Sequence, residues 1–190
     1  MQMKLGCVVL AAGQGARFGG DKMHYFVAGK PMLTHVLCAL PAERFIRRLV
    51  VLPPNDTQLC ELARTHGFEP VINPDPSLGV SESVRIGLAT VCAGSKPDGV
   101  LFAVGDQPYL TQGSVKRLLD MFEEHPQYIV ALAANGKRGN PVVFPAYTFE
   151  DFSQLDGDMG GSRVIAMHPE LLLLCEAVAA KELVDIDRKD

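Results

Sequence analysis

Continuous apolar runs and helix-spaced apolar positions alternate along this chain. Residues 4–11 read as a buried strand, apolar from Leu5 onward with only Gly6 between, the mark of a strand covered on both faces. A helix opening on Pro31 follows over 31–40, then a second apolar run over 47–52, stopped by Pro53 and Pro54. Asn55 offers an N-cap for a helix reaching His66, and 69–72 reads as a short third strand before the Asn73-Pro74-Asp75-Pro76 turn. Within 81–92, Val84, Leu88 and Val91 share one helical face, and 99–104 is a fourth strand ending at Gly105-Asp106-Gln107-Pro108. Thr111 caps a helix running to Glu124. Residues 128–134 and 141–144 read as strands joined by a polar turn, 135–140. Beyond them lie a Gly/Asp loop at 156–161, a helix from about Ser162, an apolar run from Leu171 and a last one over 182–186.

Repetition of strand then helix predicts an α/β fold: Rossmann-like, three layers, with a mainly parallel central sheet and right-handed crossovers. Ligands in such sheets gather at the carboxyl ends of the strands, so the loops after Ala11, Ile72 and Val104 should share one crevice. Residues 1–190 are expected to form one domain, with 135–165 as a lobe upon it.

Composition narrows the classes. A formal net charge of −4 argues against a protein that coats DNA or RNA. No segment approaches the roughly 20 apolar residues of a membrane span, and the apolar start runs straight into a glycine loop, so no secretory leader is expected. The 5 cysteines are scattered among apolar neighbours, as small core residues of a reducing cytoplasm would be. Neither a Cys-x-x-Cys nor a close Cys/His pair occurs, so a zinc site is not expected.

The most chemical stretch is Leu10-Ala11-Ala12-Gly13-Gln14-Gly15-Ala16-Arg17-Phe18-Gly19-Gly20-Asp21-Lys22. It joins the end of an apolar strand to a glycine-rich loop that ends in cations. Backbone N–H groups in such a loop can wrap a phosphate chain, which points to a nucleoside triphosphate site.

Leu10-Ala11-Ala12-Gly13, Gly15, Arg17, Gly19 and Asp21-Lys22, with Gly105-Asp106-Gln107-Pro108, Gly139-Asn140-Pro141, Gly157-Asp158 and Asp185-Ile186-Asp187, resemble the molybdopterin nucleotidyltransferases, while Gln14-Gly15 stands where the cytidylyl branch commonly has a Ser. That family is a branch of the Rossmann-like nucleoside triphosphate transferases, of the nucleotide-diphospho-sugar transferase type. The resemblance implies transfer of a nucleotide onto the molybdenum cofactor, with release of pyrophosphate and handover to a molybdoenzyme or its chaperone. Leu-Ala-Ala-Gly is similar to the cytidylyltransferase version, where Leu-Ala-Gly-Gly marks guanylyltransferases, so Ala12 tilts the reading toward CTP over GTP. Gly139-Asn140-Pro141 replaces the family's usual Gly-His-Pro, and Arg163 stands one position later than the family's arginine.

Chemistry assigns the roles. Nucleotidyl transfer needs an acceptor oxygen in line with the α-phosphorus, so positioning and charge neutralisation dominate. Arg17 offers a planar fork for phosphate oxygens and Lys22 a mobile point charge. Asp106, at the crevice end of a strand, suits Mg²⁺, with Asp187 as a second ligand candidate. Plainer readings stand beside these: a turn or helix-cap role for Asp106, and a solvated strand edge for Asp185 and Asp187. For the nucleotide, Leu10, Ala11, Ala12, Gly13, Gly15, Pro53, Pro54, Asp75, Ser81 and Ser83 are the nearest candidates, although the two serines can instead cap their own helix. The resemblance puts the acceptor on the 135–163 side, near Asn140, Asp158 and Arg163, while Phe18 and Phe102 read as packing residues.

Rival functions fit less well. A dinucleotide-binding dehydrogenase would want an acidic residue where Pro53-Pro54 stands, and no Gly-Lys-Ser/Thr follows the glycines as a P-loop requires. A non-catalytic nucleotide sensor or cofactor chaperone would have no need of both Lys22 and Asp106. Sugar, polyol and cobinamide phosphates remain as other acceptors for a similar fold.

Overall fold

The computed structural model describes residues 3–13, 18–20 and 22–187. The chain runs β1 (Leu5–Leu10), a small antiparallel pair β2 (Phe26–Val27) and β3 (Lys30–Pro31), α1 (Met32–Ala39), β4 (Arg47–Leu52), α2 (Thr57–Thr65) and β5 (Glu69–Ile72). It continues through α3 (Val80–Cys92), β6 (Gly99–Val104), α4 (Gln112–Glu124), β7 (Ile129–Ala134), β8 (Lys137–Pro145), α5 (Gly161–Met167) and β9 (Leu172–Glu176). Seven strands make one sheet in the order β5-β4-β1-β6-β8-β7-β9. Only β8 runs against its neighbours; every other pairing in this sheet is parallel. The expected mainly parallel, three-layer α/β architecture is what forms.

The apolar runs become strands because both sheet faces are covered. Leu33, Leu37, Leu59, Leu118 and Phe122 bring α1, α2 and α4 onto one face. Val84, Leu88, Val91, Phe152 and Val164 bring α3, the turn Ala146–Gln154 and α5 onto the other. Full burial of each such side chain contributes about 1.5–3 kcal/mol. α3 lies close enough to the sheet that a Cβ on Gly87 would stand 2.5 Å from Val8 Cγ1, which explains the small residue in mid-helix. Among the described residues, no helix is long and apolar enough to cross a membrane.

Several local expectations shift. α2 is capped by Asp56, whose carboxylate accepts from Leu59 N at 3.0 Å, while Asn55 takes a left-handed φ of 64° just before it. β8 begins earlier than its apolar core, because Lys137 and Arg138 pair with β7 across a tight turn and backbone pairing needs no hydrophobic side chain. The stretch 182–186 does not join the sheet. Residues Ala180–Leu183 form a 3-10 turn, and the chain beyond it lies over the loop after β6, where Ile186 N donates to Asp106 O at 3.1 Å.

Candidate functional site

Hydrogen bonding at the ends of β1 and β6 builds the crevice. Ala11 N donates to Val51 O and Gly105 N to Leu10 O, both at 2.9 Å, so the two loops leave the sheet side by side. Between them and α3 lies a cleft of about 540 Å³. Of the expected nucleotide residues, Leu10, Ala11, Ala12, Gly13, Lys22 and Ser83 line it, and so does Asp106. Gly15 and Arg17 lie outside the described residues. Phe18 is buried and packs edge-on against Tyr25, as a packing residue should.

Charge concentrates at one point of this cleft. Lys22 Nζ donates to Asp106 Oδ2 at 2.7 Å and to Asp187 Oδ1 at 2.8 Å. Burial opposes the Lys22 charge, yet the hydrogen bonds and fields of the two aspartates outweigh it and hold the ammonium above its ordinary pKa. Asp185 sits beside them, accepting from Gln107 Nε2 at 2.9 Å. Its own burial, then the neighbouring Asp106 carboxylate, push Asp185 up, against the donation from Gln107. Neither Asp185 nor Asp187 is on a strand edge, which corrects the plainer reading of both. Asp106 does not cap α4; Thr111 does, through Ser114 N at 3.3 Å. Two carboxylates converging on one cation position suit a hard divalent ion, which takes one or two carboxylate oxygens and completes its shell with phosphate and water.

A buried carboxylate that sequence reasoning passed over secures this arrangement. Glu182 is fully buried, and its side chain accepts from Thr111 N at 2.9 Å, Thr111 Oγ1 at 2.8 Å and Ala179 N at 2.9 Å. The acid thereby ties the segment leading to Asp187 onto the start of α4.

The serines do not cap α3. Its N-cap is Gly79, Ser83 Oγ instead accepts from buried Asn73 Nδ2 at 2.9 Å, and Ser81 Oγ is buried with no hydrogen-bond partner. Asp75 is turned away to cap the 3-10 turn Pro76–Leu78, accepting from Ser77 N at 3.1 Å, and it does not line the cleft. Pro76, Ser77, Gly79 and Val80 do, on the segment after Ile72 that the strand order brings to the crevice. Pro53 belongs to a side recess shared with Ala12, His24 and Asp56.

A second cavity of about 250 Å³ adjoins the first, sharing Leu10, Val80, Val104 and Asp158 with it. Its walls include Phe102, Phe144 and Phe152, a packed aromatic group with Phe102 and Phe152 stacked at 5.4 Å. Asn140 lies on this cavity. Arg163 does not: it is exposed on α5 and lines neither cavity. The arginine on the wall is Arg138 of β8, whose Nη2 donates to Ser162 Oγ at 3.3 Å. Arg138 borders, and Asn140 lies within, the stretch of β8 where its pairing with β7 shifts register, and both reach this wall.

The profile of the MobA-like NTP transferase domain matches residues 7–171. The chain is similar to the bifunctional enzyme IspD/IspF of Paramagnetospirillum magneticum, 34% identical over 139 residues, or 70% of this chain and 35% of that protein. It is also similar to a probable molybdenum cofactor guanylyltransferase of Pyrococcus horikoshii, 30% identical over 98 residues and 50% of each. The match thus spans a third to a half of the length of these curated relatives. Among solved structures, a Mycobacterium sp. JC1 homologue of M. tuberculosis Rv0371c superposes with a TM-score of 0.80 at 24% identity, covering 99% of this chain and 92% of that one. Rv0371c itself, in complex with manganese, gives 0.74 at 20% identity over 92% and 88% of the two chains.

Proposed function

This chain belongs to the MobA-like NTP transferase family, and from that premise we propose that it moves a nucleoside monophosphate from a triphosphate onto a phosphorylated acceptor, releasing pyrophosphate. What carries the reading is one juxtaposition: Lys22 and the carboxylates of Asp106 and Asp187 meet in the cleft at the ends of β1 and β6, beside a second, aromatic-walled cavity. The triphosphate takes the first cavity, against the backbone of residues 10–13. The acceptor takes the second, and its phosphate reaches the α-phosphorus past the shared wall at Asp158. CTP is the proposed donor, on Ala12, and a molybdopterin-class pterin the proposed acceptor, supported by the similarity to a probable molybdenum cofactor guanylyltransferase and by Asn140 and Arg138, which offer polar contacts on the second cavity.

Mg²⁺ is the proposed metal. Asp106 and Asp187 would hold it, and when bound it would offset negative charge on the phosphates. The chain's own contribution is positional. Lys22 neutralises phosphate oxygens as charge grows on them, and the buried alanines Ala11 and Ala12 keep the floor shallow enough for close approach.

The test is a thermal-shift screen of the four ribonucleoside triphosphates with and without Mg²⁺, followed by pyrophosphate release. A triphosphate bound by the native fold raises the melting temperature by mass action. CTP with Mg²⁺ should give the largest shift, and Asp106→Asn should abolish turnover while retaining the fold. Equal turnover of CTP and GTP ends the base assignment; no shift with any triphosphate ends the reading. A second acceptor class is favoured by the 34% identity to an IspD/IspF enzyme. A polyol phosphate that outpaces the pterin in the same assay would select it.

A further inference from the structure

Lys22 stands where a cation ligand set is assembled. Its ammonium bridges Asp106 and Asp187 at 2.7 and 2.8 Å, and its side chain is only 10% exposed. The two carboxylates are drawn together from distant parts of the chain, one by the end of β6 and the other by the segment that Glu182 and Gln107 hold down. Asp185 adds a third acid to the neighbourhood. Like charges this close repel, and the Lys22 ammonium is what offsets them. A divalent ion placed between Asp106 and Asp187 competes for the two oxygens that now accept from Lys22, Asp106 Oδ2 and Asp187 Oδ1. It would also meet a positive charge at hydrogen-bond distance from its ligands, so the ammonium and the ion cannot share the position.

We propose that Lys22 is a resident place-holder for the metal, keeping the Asp106–Asp187 pair closed to divalent cations until a triphosphate draws its ammonium away. The idea rests on reading the cleft as a nucleotide and metal site. Lysine suits the part because its compact charge rides on a flexible four-carbon stem with three rotatable donors. Lys22 lines the same cleft as residues 10–13, so polyphosphate oxygens offer it a second set of acceptors within reach of that stem. When the ammonium moves to them, the carboxylates are freed at the moment the phosphates need a counter-ion. Metal and nucleotide then bind cooperatively, and by reciprocity each raises the affinity of the other by the same factor. The device guards against a metal-loaded but nucleotide-free site.

The experiment is a Mn²⁺ titration of the nucleotide-free protein, followed by electron paramagnetic resonance of the free ion. Lys22→Met should bind Mn²⁺ about tenfold or more tightly than the unaltered chain, because a unit positive charge beside the ligands is gone. Lys22→Arg retains the charge and should stay at the weak, unaltered level. Adding Asp187→Asn to Lys22→Met should return the affinity to that level. Lys22→Met binding no tighter than the unaltered protein, with an unchanged melting curve, overturns the proposal. If Lys22→Met does not fold, the unaltered protein decides: its hydrogen-bonded Lys22 ammonium resonance should move when Mg²⁺ and CTP are added together and stay put with Mg²⁺ alone. A shift with Mg²⁺ alone, or none with both, overturns the place-holder. The nucleotide reading fails separately, if no triphosphate stabilises the unaltered chain.

Discussion

A single methyl group at Gly79 should separate the two walls of the site. Gly79 has φ 91° and ψ −179°, a backbone region open almost only to glycine. A Cβ there would overlap the carbonyl carbon and oxygen of Gly157 and stand 2.9 Å from Asp158 N. All three atoms are backbone, so no side chain can swing aside. The same contact carries the hydrogen bond from Ser81 N to Gly157 O at 3.0 Å. Forcing the disfavoured backbone costs about 1–3 kcal/mol, and losing the hydrogen bond about 1 kcal/mol more. Gly79→Ala should therefore lose about 2–4 kcal/mol in urea denaturation. Gly94→Ala is the control: its φ is 86°, with nothing within 4 Å of the added atom, so only the left-handed backbone cost of about 1–2 kcal/mol applies. Because Asp158 lines both cavities, Gly79→Ala should also weaken triphosphate binding, and Gly94→Ala should not. Equal destabilisation by the two, with unchanged nucleotide affinity in both, would refute the steric argument.

Three further outcomes follow from other contacts. Phe152→Ala should cost about 3–5 kcal/mol in chemical denaturation, since the ring is 1% exposed and packs against both Phe102 and Phe144. Glu182→Gln replaces one acceptor oxygen with a donor facing Thr111 or Ala179, which should cost about 1–3 kcal/mol; by loosening the segment that carries Asp187 it should also weaken Mn²⁺ binding in the presence of CTP. Burial pushes the Cys7 thiol well above its ordinary value of 9.0, with the Arg48 charge pulling less strongly the other way. The unfolded chain then releases this proton at a pH where the folded chain keeps it, so the contribution is whole below 9.0 and falls as pH rises above it. The drop in urea midpoint between about pH 8 and about pH 10 should accordingly be smaller in Cys7→Ala, and an equal drop in both proteins would contradict the assignment.

Much of the fold is legible in the chain itself, because its signals are local. The run at 4–11, the Pro53-Pro54 stop and the Gly105–Pro108 turn each act within a few residues, through burial on both sheet faces or through fixed backbone angles. Strand-then-helix order together with the handedness of crossovers places the strand ends in one crevice, so Ala12, Lys22 and Asp106 could be expected there from the chain alone. Asn55, Ser81 and Ser83 show the limit of local reasoning. Each has the right chemistry for a cap, but caps are decided by which residue turns out of the helix, and here Asp56 and Gly79 do so.

What tertiary structure alone decided is how polar groups pair across long sequence distances. Lys22 and Asp187 are 165 residues apart, and nothing near either one records that a 3-10 turn and a buried Glu182 bring them together. Arg138 and Arg163 are equally polar in sequence, and only the register of β8 and the start of α5 select which of them borders the second cavity. A hydrophobic pattern reports its own burial, since exclusion from water acts on each residue where it stands. A hydrogen bond or ion pair reports nothing until both partners are in place, because its energy depends on distance and direction that only the assembled sheet supplies.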